Sequence, residues 1–105
     1  MEGIVEAFVE GEIKASPSVQ CRIKPLGEVD IISTHDQVLS GQVFIGAHFP
    51  ADKQYRAEIS NMGKTIAYAL MKEGVVGRFS IDFVSVKEHD SWKNYAIEIN
   101  LRKGG

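Results

Sequence analysis

Apolar and polar residues alternate with a period of two along several short stretches of the chain. In residues 18–24 the odd-numbered positions are apolar and the even-numbered positions are polar or charged. This pattern is typical of a β-strand with one buried face, because successive side chains of a strand point to opposite sides. Residues 4–9 predict an earlier strand, and the turn residues 25–27 predict a hairpin that leads into a strand from Val29.

One later segment has a helical period instead. Its apolar residues recur at steps of three or four and are Tyr55, Ile59, Met62, Ile66 and Leu70. Asp52 is the expected N-cap, and Gly74 is expected to end the helix in the left-handed conformation. Gly63 should cost this helix about 1 kcal/mol relative to alanine. We expect the apolar stripe to pack on a sheet, with Ala67 and Ala69 allowing a close approach.

Two further strands are predicted near the end of the chain. Residues 78–86 and 95–102 both carry apolar residues at alternate positions, and the polar residues 87–93 between them predict a loop. Residues 43–45 indicate a short strand, and residues 35–37 are interpreted as a loop. Strands, one helix and then strands predict an α+β fold, an antiparallel sheet with one main helix packed on it.

The composition of the chain argues against two classes of binding partner. The 105 residues carry twelve basic and fourteen acidic side chains, a net charge of −2, so nucleic acid is not an expected partner. No apolar run approaches the roughly 18 residues that span a bilayer, so no membrane partner is expected. Cys21 is the single cysteine, which favours a reducing, cytoplasmic location, and its place in a predicted strand indicates a core residue.

The candidate chemistry lies on the polar face of the last two strands. If their apolar faces match and the loop is symmetric, three pairs stand opposite each other: Asp82 with Glu98, Ser80 with Asn100, and Arg78 with Arg102. Like charges directly across a ladder are destabilising, and a divalent cation would remove the conflict between the carboxylates. Carboxylate and amide oxygens suit Mg²⁺, and the nearby arginines could hold phosphate. The alternative is a solvated polar face without a ligand.

The same stretches resemble a known family. Residues 77–83 (GRFSIDF) followed by residues 98–102 (EINLR) resemble the C-terminal end of the ATP-grasp ligases. Residues 16–20 (SPSVQ), 33–37 (STHDQ) and 100–105 (NLRKGG) look like the branch that joins amino acids through an acyl phosphate. The resemblance implies the C-terminal half of an ATP-grasp fold and an ATP-dependent carboxylate–amine, or peptide, ligase.

The resemblance also implies roles for single residues at the metal site. Asp82, Glu98 and Asn100 would ligate Mg²⁺, with Mn²⁺ as a possible substitute. Arg102 is similar to the family arginine that stabilises the reacting carboxylate or acyl phosphate. Many relatives place a phosphate-contacting arginine two residues before the aspartate, whereas this chain has Arg78 four residues before it. Arg78 shares the polar face and therefore stays a candidate catalytic residue.

A second set of implied roles concerns the nucleotide. Residues 5–12 look like the hinge strand that lines the adenine pocket of the family. Glu6 and the backbone near Phe8 and Val9 would hold the base, and an acidic residue would hold the ribose hydroxyls. Glu12 is the candidate for the ribose, with Glu10 as the alternative. ATP is accordingly an expected cofactor, together with small carboxylate and amine substrates.

The chain departs from the family in what it lacks. Nothing in it matches the glycine-rich phosphate loop and the ATP-binding lysines that relatives supply upstream of the hinge strand. Residues 1–105 are therefore expected to form a single partial domain that works with the rest of a parent ligase chain. Two other hypotheses remain open: a non-catalytic α+β module that binds a metal or a partner, and an ATP-grasp kinase.

Overall fold

The computed structural model describes residues 13–41 and 43–101 of the chain. Six strands and one helix make up this part, and the α+β fold class expected above is confirmed. The elements are β1 (Ile13–Ala15), β2 (Pro17–Ile23), β3 (Val29–Ser40), β4 (Val43–His48), α1 (Lys53–Lys72), β5 (Gly77–Glu88) and β6 (Ser91–Leu101). The strand expected at residues 4–9 lies outside the described residues.

All strand pairs in the sheet are antiparallel, and β5 lies between the other strands. β1 and β2 pair with one edge of β5, and β6 pairs with the other. β3 follows β2, and β4 follows β3 as the outermost strand on that side. The strand that carries Asp82 therefore pairs with strands from the start and from the end of the described chain.

The core lies between one face of this sheet and α1. Odd-numbered residues of β2 and β5 supply most of it, because alternate side chains of a strand share a face. The fully buried members are Val19, Cys21, Ile23, Phe79, Ile81 and Phe83 from the sheet and Ile59 and Ala67 from the helix. Burial raises the pKa of the Cys21 thiol to about 11, which keeps it neutral, so its expected role as a core residue is confirmed.

Gly63 determines how closely the helix approaches the sheet. A Cβ at this position would lie 3.1 Å from Cγ1 of Val19 and 3.6 Å from Sγ of Cys21. The expectation that Ala67 and Ala69 allow the close approach is right for Ala67, which is buried, and wrong for Ala69, which is exposed. The glycine that weakens the isolated helix is therefore the residue that lets it seat on β2.

Hydrogen bonds connect the start of α1 to β3. Oδ1 of Asp52 accepts a hydrogen bond from the backbone N–H of Gln54 at 2.9 Å, so the predicted N-cap is confirmed. Asp36 on β3 accepts from the backbone N–H of Asp52 at 2.9 Å and also from the hydroxyl of Tyr55. Burial and the Asp36 hydrogen bond raise the pKa of Tyr55, so this hydroxyl stays a donor. At the other end Gly74 has φ +90°, as predicted.

Two predicted loops are wrong. Residues 35–37 belong to β3, which pairs with β2 on one edge and with β4 on the other. The alternate side chains of this segment contact different neighbours, the helix on one face and the polar surface on the other. This double use removes the simple apolar–polar alternation that would have marked a strand. Residues 87–93 are mostly strand as well, since β5 and β6 extend until only His89 and Asp90 form the turn.

No helix in residues 13–41 and 43–101 is long and apolar enough to cross a membrane.

The close approach at Gly63 predicts a stability effect. We expect Gly63→Val to lower the free energy of unfolding by about 2 kcal/mol, because the added side chain must displace Val19 in a packed core. The matched control is Lys64→Val, which places the same β-branched residue at the next, exposed position of the helix. Urea unfolding followed by circular dichroism measures both, and equal losses in the two variants would contradict the packing argument.

Candidate metal and phosphate site

The face of the sheet that turns away from α1 carries the candidate site. In the β5–β6 pair Asp82 stands directly opposite Glu98, and Ser80 stands opposite Asn100. The register expected from the sequence is therefore confirmed for these two pairs. Asp82 and Ser80 are half-buried near the middle of the sheet, whereas Glu98 and Asn100 are exposed on the outer strand.

A β-bulge lies directly beside the acidic pair. The register shifts after Asp82, so that Phe83 pairs with Ala96 and Ile97 is the extra residue of β6. An extra residue reverses the alternation of side chains between the two faces. Tyr95 therefore lies opposite Val84 on the site face, and the unbroken alternation expected for residues 95–102 is wrong, because Ile99 lies on the other face.

Asn100 joins the two strands by side-chain hydrogen bonds. Its Nδ2 donates to Oδ2 of Asp82 at 3.3 Å and to Oγ of Ser80 at 3.5 Å. The amide oxygen and nitrogen exchange places when the group turns by 180°, so the same side chain can present an oxygen to a cation beside Asp82. Two carboxylates and one amide are hard oxygen ligands, and this donor set fits Mg²⁺ with further ligands from water and phosphate.

No ion pair among the described residues neutralises the charge of the acidic pair. The ion pairs in the described ranges are Lys24 with Glu28, Lys24 with Asp30, and Lys93 with Glu88, and none involves Asp82 or Glu98. The same ranges hold no group of three or more histidine, cysteine or acidic side chains suited to a metal. The described residues would accordingly offer two carboxylates and an amide to a cation at this site.

Arg78 lies on the same face but at a distance from the acids. It is exposed and stands opposite Arg22 across the β2–β5 pair. Four residues along a strand separate it from Asp82 by about 13 Å. Arg78 can therefore contact a group that extends from the acidic pair along β5.

The remaining predicted site residues lie outside the described residues. They are Glu6, Phe8, Val9, Glu10, Glu12 and Arg102. β1 follows the first five of them directly and pairs with β5, with Ala15 opposite Ser85.

Sequence reasoning missed an apolar cluster beside the acids. Val84 and Val86 continue the site face beyond Asp82, are 7% and 1% exposed, and pack with Tyr95. The sequence did contain a signal for this cluster. Residues 83–86 are apolar or small at both odd-numbered and even-numbered positions, a pattern that predicts a strand buried on both faces. The acidic pair consequently has a buried apolar cluster on its β1 side.

A row of polar residues across the sheet was also missed. Ser18 on β2 stands opposite Asp82 on one side and opposite His35 of β3 on the other. Directly opposed residues of antiparallel strands share a face, so His35, Ser18, Asp82 and Glu98 form one row on the site face. The row could not be predicted while residues 35–37 were interpreted as a loop, because only a continuous β3 places His35 opposite Ser18.

With this geometry established, comparison with known proteins identifies the family. The family described as "IQCH-like, ATP-grasp" matches residues 1–103, which is nearly the whole chain. The chain belongs to the IQCH-like ATP-grasp family. The resemblance stated from the sequence is thereby confirmed, and the six-stranded sheet with its helix is consistent with half of an ATP-grasp fold.

This ATP-grasp chain is also similar to a curated protein, the L-propargylglycine--L-glutamate ligase of Streptantibioticus cattleyicolor. The two are 43% identical over 102 residues, which cover 97% of this chain and 20% of that protein. The chain thus spans about a fifth of the length of the relative. No solved structure matches it significantly.

The opposed acids of this ATP-grasp chain predict a charge effect on stability. Without a divalent cation, Glu98→Gln is expected to raise the melting temperature, because it removes a like charge across the ladder and keeps the shape of the side chain. The gain should shrink as NaCl screens the repulsion. Asp90→Asn in the β5–β6 turn is the control, and thermal unfolding in EDTA measures both variants. A lower melting temperature for Glu98→Gln would contradict the predicted repulsion.

Proposed function

We propose that this ATP-grasp chain is the metal-binding part of an ATP-dependent ligase that forms an amide or peptide bond. The observation that carries the proposal is the acidic pair, Asp82 directly opposite Glu98, with Asn100 beside it and no neutralising ion pair in the described residues. An arrangement that is unfavourable by itself becomes favourable when a divalent cation and a phosphate bind to it.

The reaction proposed for the complete ligase has two steps. The carboxylate of one substrate attacks the γ-phosphorus of ATP, ADP leaves, and an acyl phosphate forms. The amine of the second substrate then attacks the acyl carbon, phosphate leaves, and the nitrogen gives up a proton as the amide bond forms. No protein nucleophile takes part, so the chain contributes positioning and charge stabilisation.

Each predicted residue has a proposed part in this reaction. Asp82, Glu98 and Asn100 would hold Mg²⁺ or Mn²⁺, which neutralises phosphate charge when it is bound. Arg102 would stabilise the reacting carboxylate or the acyl phosphate. Arg78 would contact a part of the bound molecules that extends from the acidic pair along β5.

The nucleotide has a proposed place next to β1. Glu6, Phe8 and Val9 would hold the adenine, and Glu12 or Glu10 would hold the ribose hydroxyls. Two observations support this side of the acidic pair: β1, which follows these residues, pairs with β5, and the apolar cluster of Val84, Val86 and Tyr95 lies there. ATP is a cytoplasmic metabolite, which agrees with the compartment expected from the single cysteine.

The substrates proposed for this chain are small carboxylates and amines, most specifically two amino acids. The name of the relative contains two amino acids, L-propargylglycine and L-glutamate. The relative is also about five times as long as this chain, so the complete ligase would include a further part of the parent protein that completes the ATP site.

The first test measures ADP release by the ligase chain that contains this sequence. We expect ADP release that depends on a mixture of amino acids including L-propargylglycine, with a dipeptide as the product detected by mass spectrometry. ADP release with phosphorylation of a hydroxyl would show a kinase instead. A chain that binds metal but releases no ADP with any of the mixtures would show a non-catalytic module.

The second test measures metal binding directly. Mg²⁺ and Mn²⁺ titrations, followed by the melting temperature and by Mn²⁺ electron paramagnetic resonance, should show binding that Glu98→Gln weakens at least tenfold, because one of two carboxylate ligands is lost. The control is Glu28→Gln, an acid on the β2–β3 turn that pairs with Lys24 at 3.9 Å. Unchanged binding in Glu98→Gln, or an equal loss in the control, would contradict the metal assignment.

A further inference from the structure

We propose that His35 binds the amino acid that supplies the amine, at the far end of the polar row from the acidic pair. This inference rests on the proposed ligase function and adds a substrate-binding residue on a strand that carries none of the predicted site residues.

The first support is the place of His35 on the site face. It stands opposite Ser18, and Ser18 stands opposite Asp82 in the next pair of strands. The adjacent residue Asp36 points the other way and binds the start of the helix. His35 is thus separated from the packing interactions that its sequence neighbour makes, and its imidazole lies on the same surface as the acids.

The second support is an unsatisfied hydrogen-bonding atom. Nδ1 of His35 is buried and has no hydrogen-bond partner among the described residues. The large majority of buried polar side-chain atoms in native proteins have a hydrogen-bond partner, so such an atom calls for one. The ring also packs against Phe49, with centroids 4.8 Å apart and planes inclined by 34°, which restricts its orientation.

The third support is the distance from the acids. Neighbouring strands lie about 4.8 Å apart, so the backbones of His35 and Asp82 are about 10 Å apart across two strand spacings. Both side chains extend from the backbone on the same face. A small amino acid held beside the acidic pair can therefore contact the imidazole of His35.

The chemistry of the imidazole fits this position. Its two nitrogens can accept a hydrogen bond from an amine or donate one to a carboxylate, and both groups occur on an amino acid. The nucleotide would occupy the other side, near β1 and Val84. The proposed division places ATP towards β1 and the amine substrate towards β3, with the acidic pair between them.

The test uses the ligase chain that contains this sequence and three variants. His35→Phe keeps a ring against Phe49 and removes both nitrogens, whereas His35→Asn restores a polar atom near the position of Nδ1. His48→Phe is the matched control, because His48 is exposed on β4 opposite Asp36, on the helix side of the sheet. Steady-state ADP release gives KM for ATP and for each of two amino acids, L-propargylglycine and L-glutamate, and the dipeptide product identifies which one supplied the amine.

We expect His35→Phe to raise KM for the amine-supplying amino acid about five- to tenfold, the loss expected for one hydrogen bond. KM for ATP should stay within twofold, His35→Asn should recover part of the loss, and His48→Phe should behave as the wild type. The melting temperature of His35→Phe should not fall, since an unpartnered atom is removed.

The possible failures are distinguishable. If the wild-type ligase releases no ADP with these amino acids or with the wider mixture, the proposed function itself is wrong. If the wild type is active and His35→Phe raises KM for ATP instead, or leaves KM for the amine substrate unchanged, only the role of His35 is wrong. A lower melting temperature in both His35 variants with unchanged KM values would show a structural role.

Discussion

The repulsion between Asp82 and Glu98 is the constraint on which the site depends. Backbone hydrogen bonds between β5 and β6 hold the two carboxylates opposite each other in spite of the repulsion between their like charges. Each strand is fixed in turn by other interactions, β5 by two strands on its far edge and β6 by Trp92 and Asn94, which hydrogen-bond to α1. The fold therefore maintains a concentration of negative charge that a bound cation would relieve.

The two faces of the sheet have separate tasks, and β3 shows the separation most clearly. Asp36 and Thr34 face the helix, where they accept hydrogen bonds from the backbone at its start. His35, which lies between them in the sequence, is on the opposite face of the sheet, the face that carries the acids. A substitution at Asp36 would thus act through the position of α1, whereas a substitution at His35 would act on the polar surface without loosening the core.

The bulge at Ile97 determines which side chains of β6 lie on the site face. Before it, β6 turns Trp92 and Asn94 towards the helix, and after it, Glu98 and Asn100 face the site. Without the extra residue, a strand that kept its contacts with the helix would turn Glu98 to the wrong side. The bulge thus allows one strand to brace the helix with its first half and to supply two candidate ligands with its second.

The sequence alone determined the helix with its caps, the strands with clean alternation, and the pairing of Asp82 with Glu98, because these follow from local periodicity and from matching apolar faces. The family resemblance was also present in the residues themselves. The tertiary structure decided what local patterns cannot express: the strand through His35, the bulge that moves Tyr95 to the site face, and the close approach at Gly63. Each of these depends on a neighbour that is distant in sequence. A side chain that contacts another helix or strand need not follow the hydrophobic periodicity of the element to which it belongs.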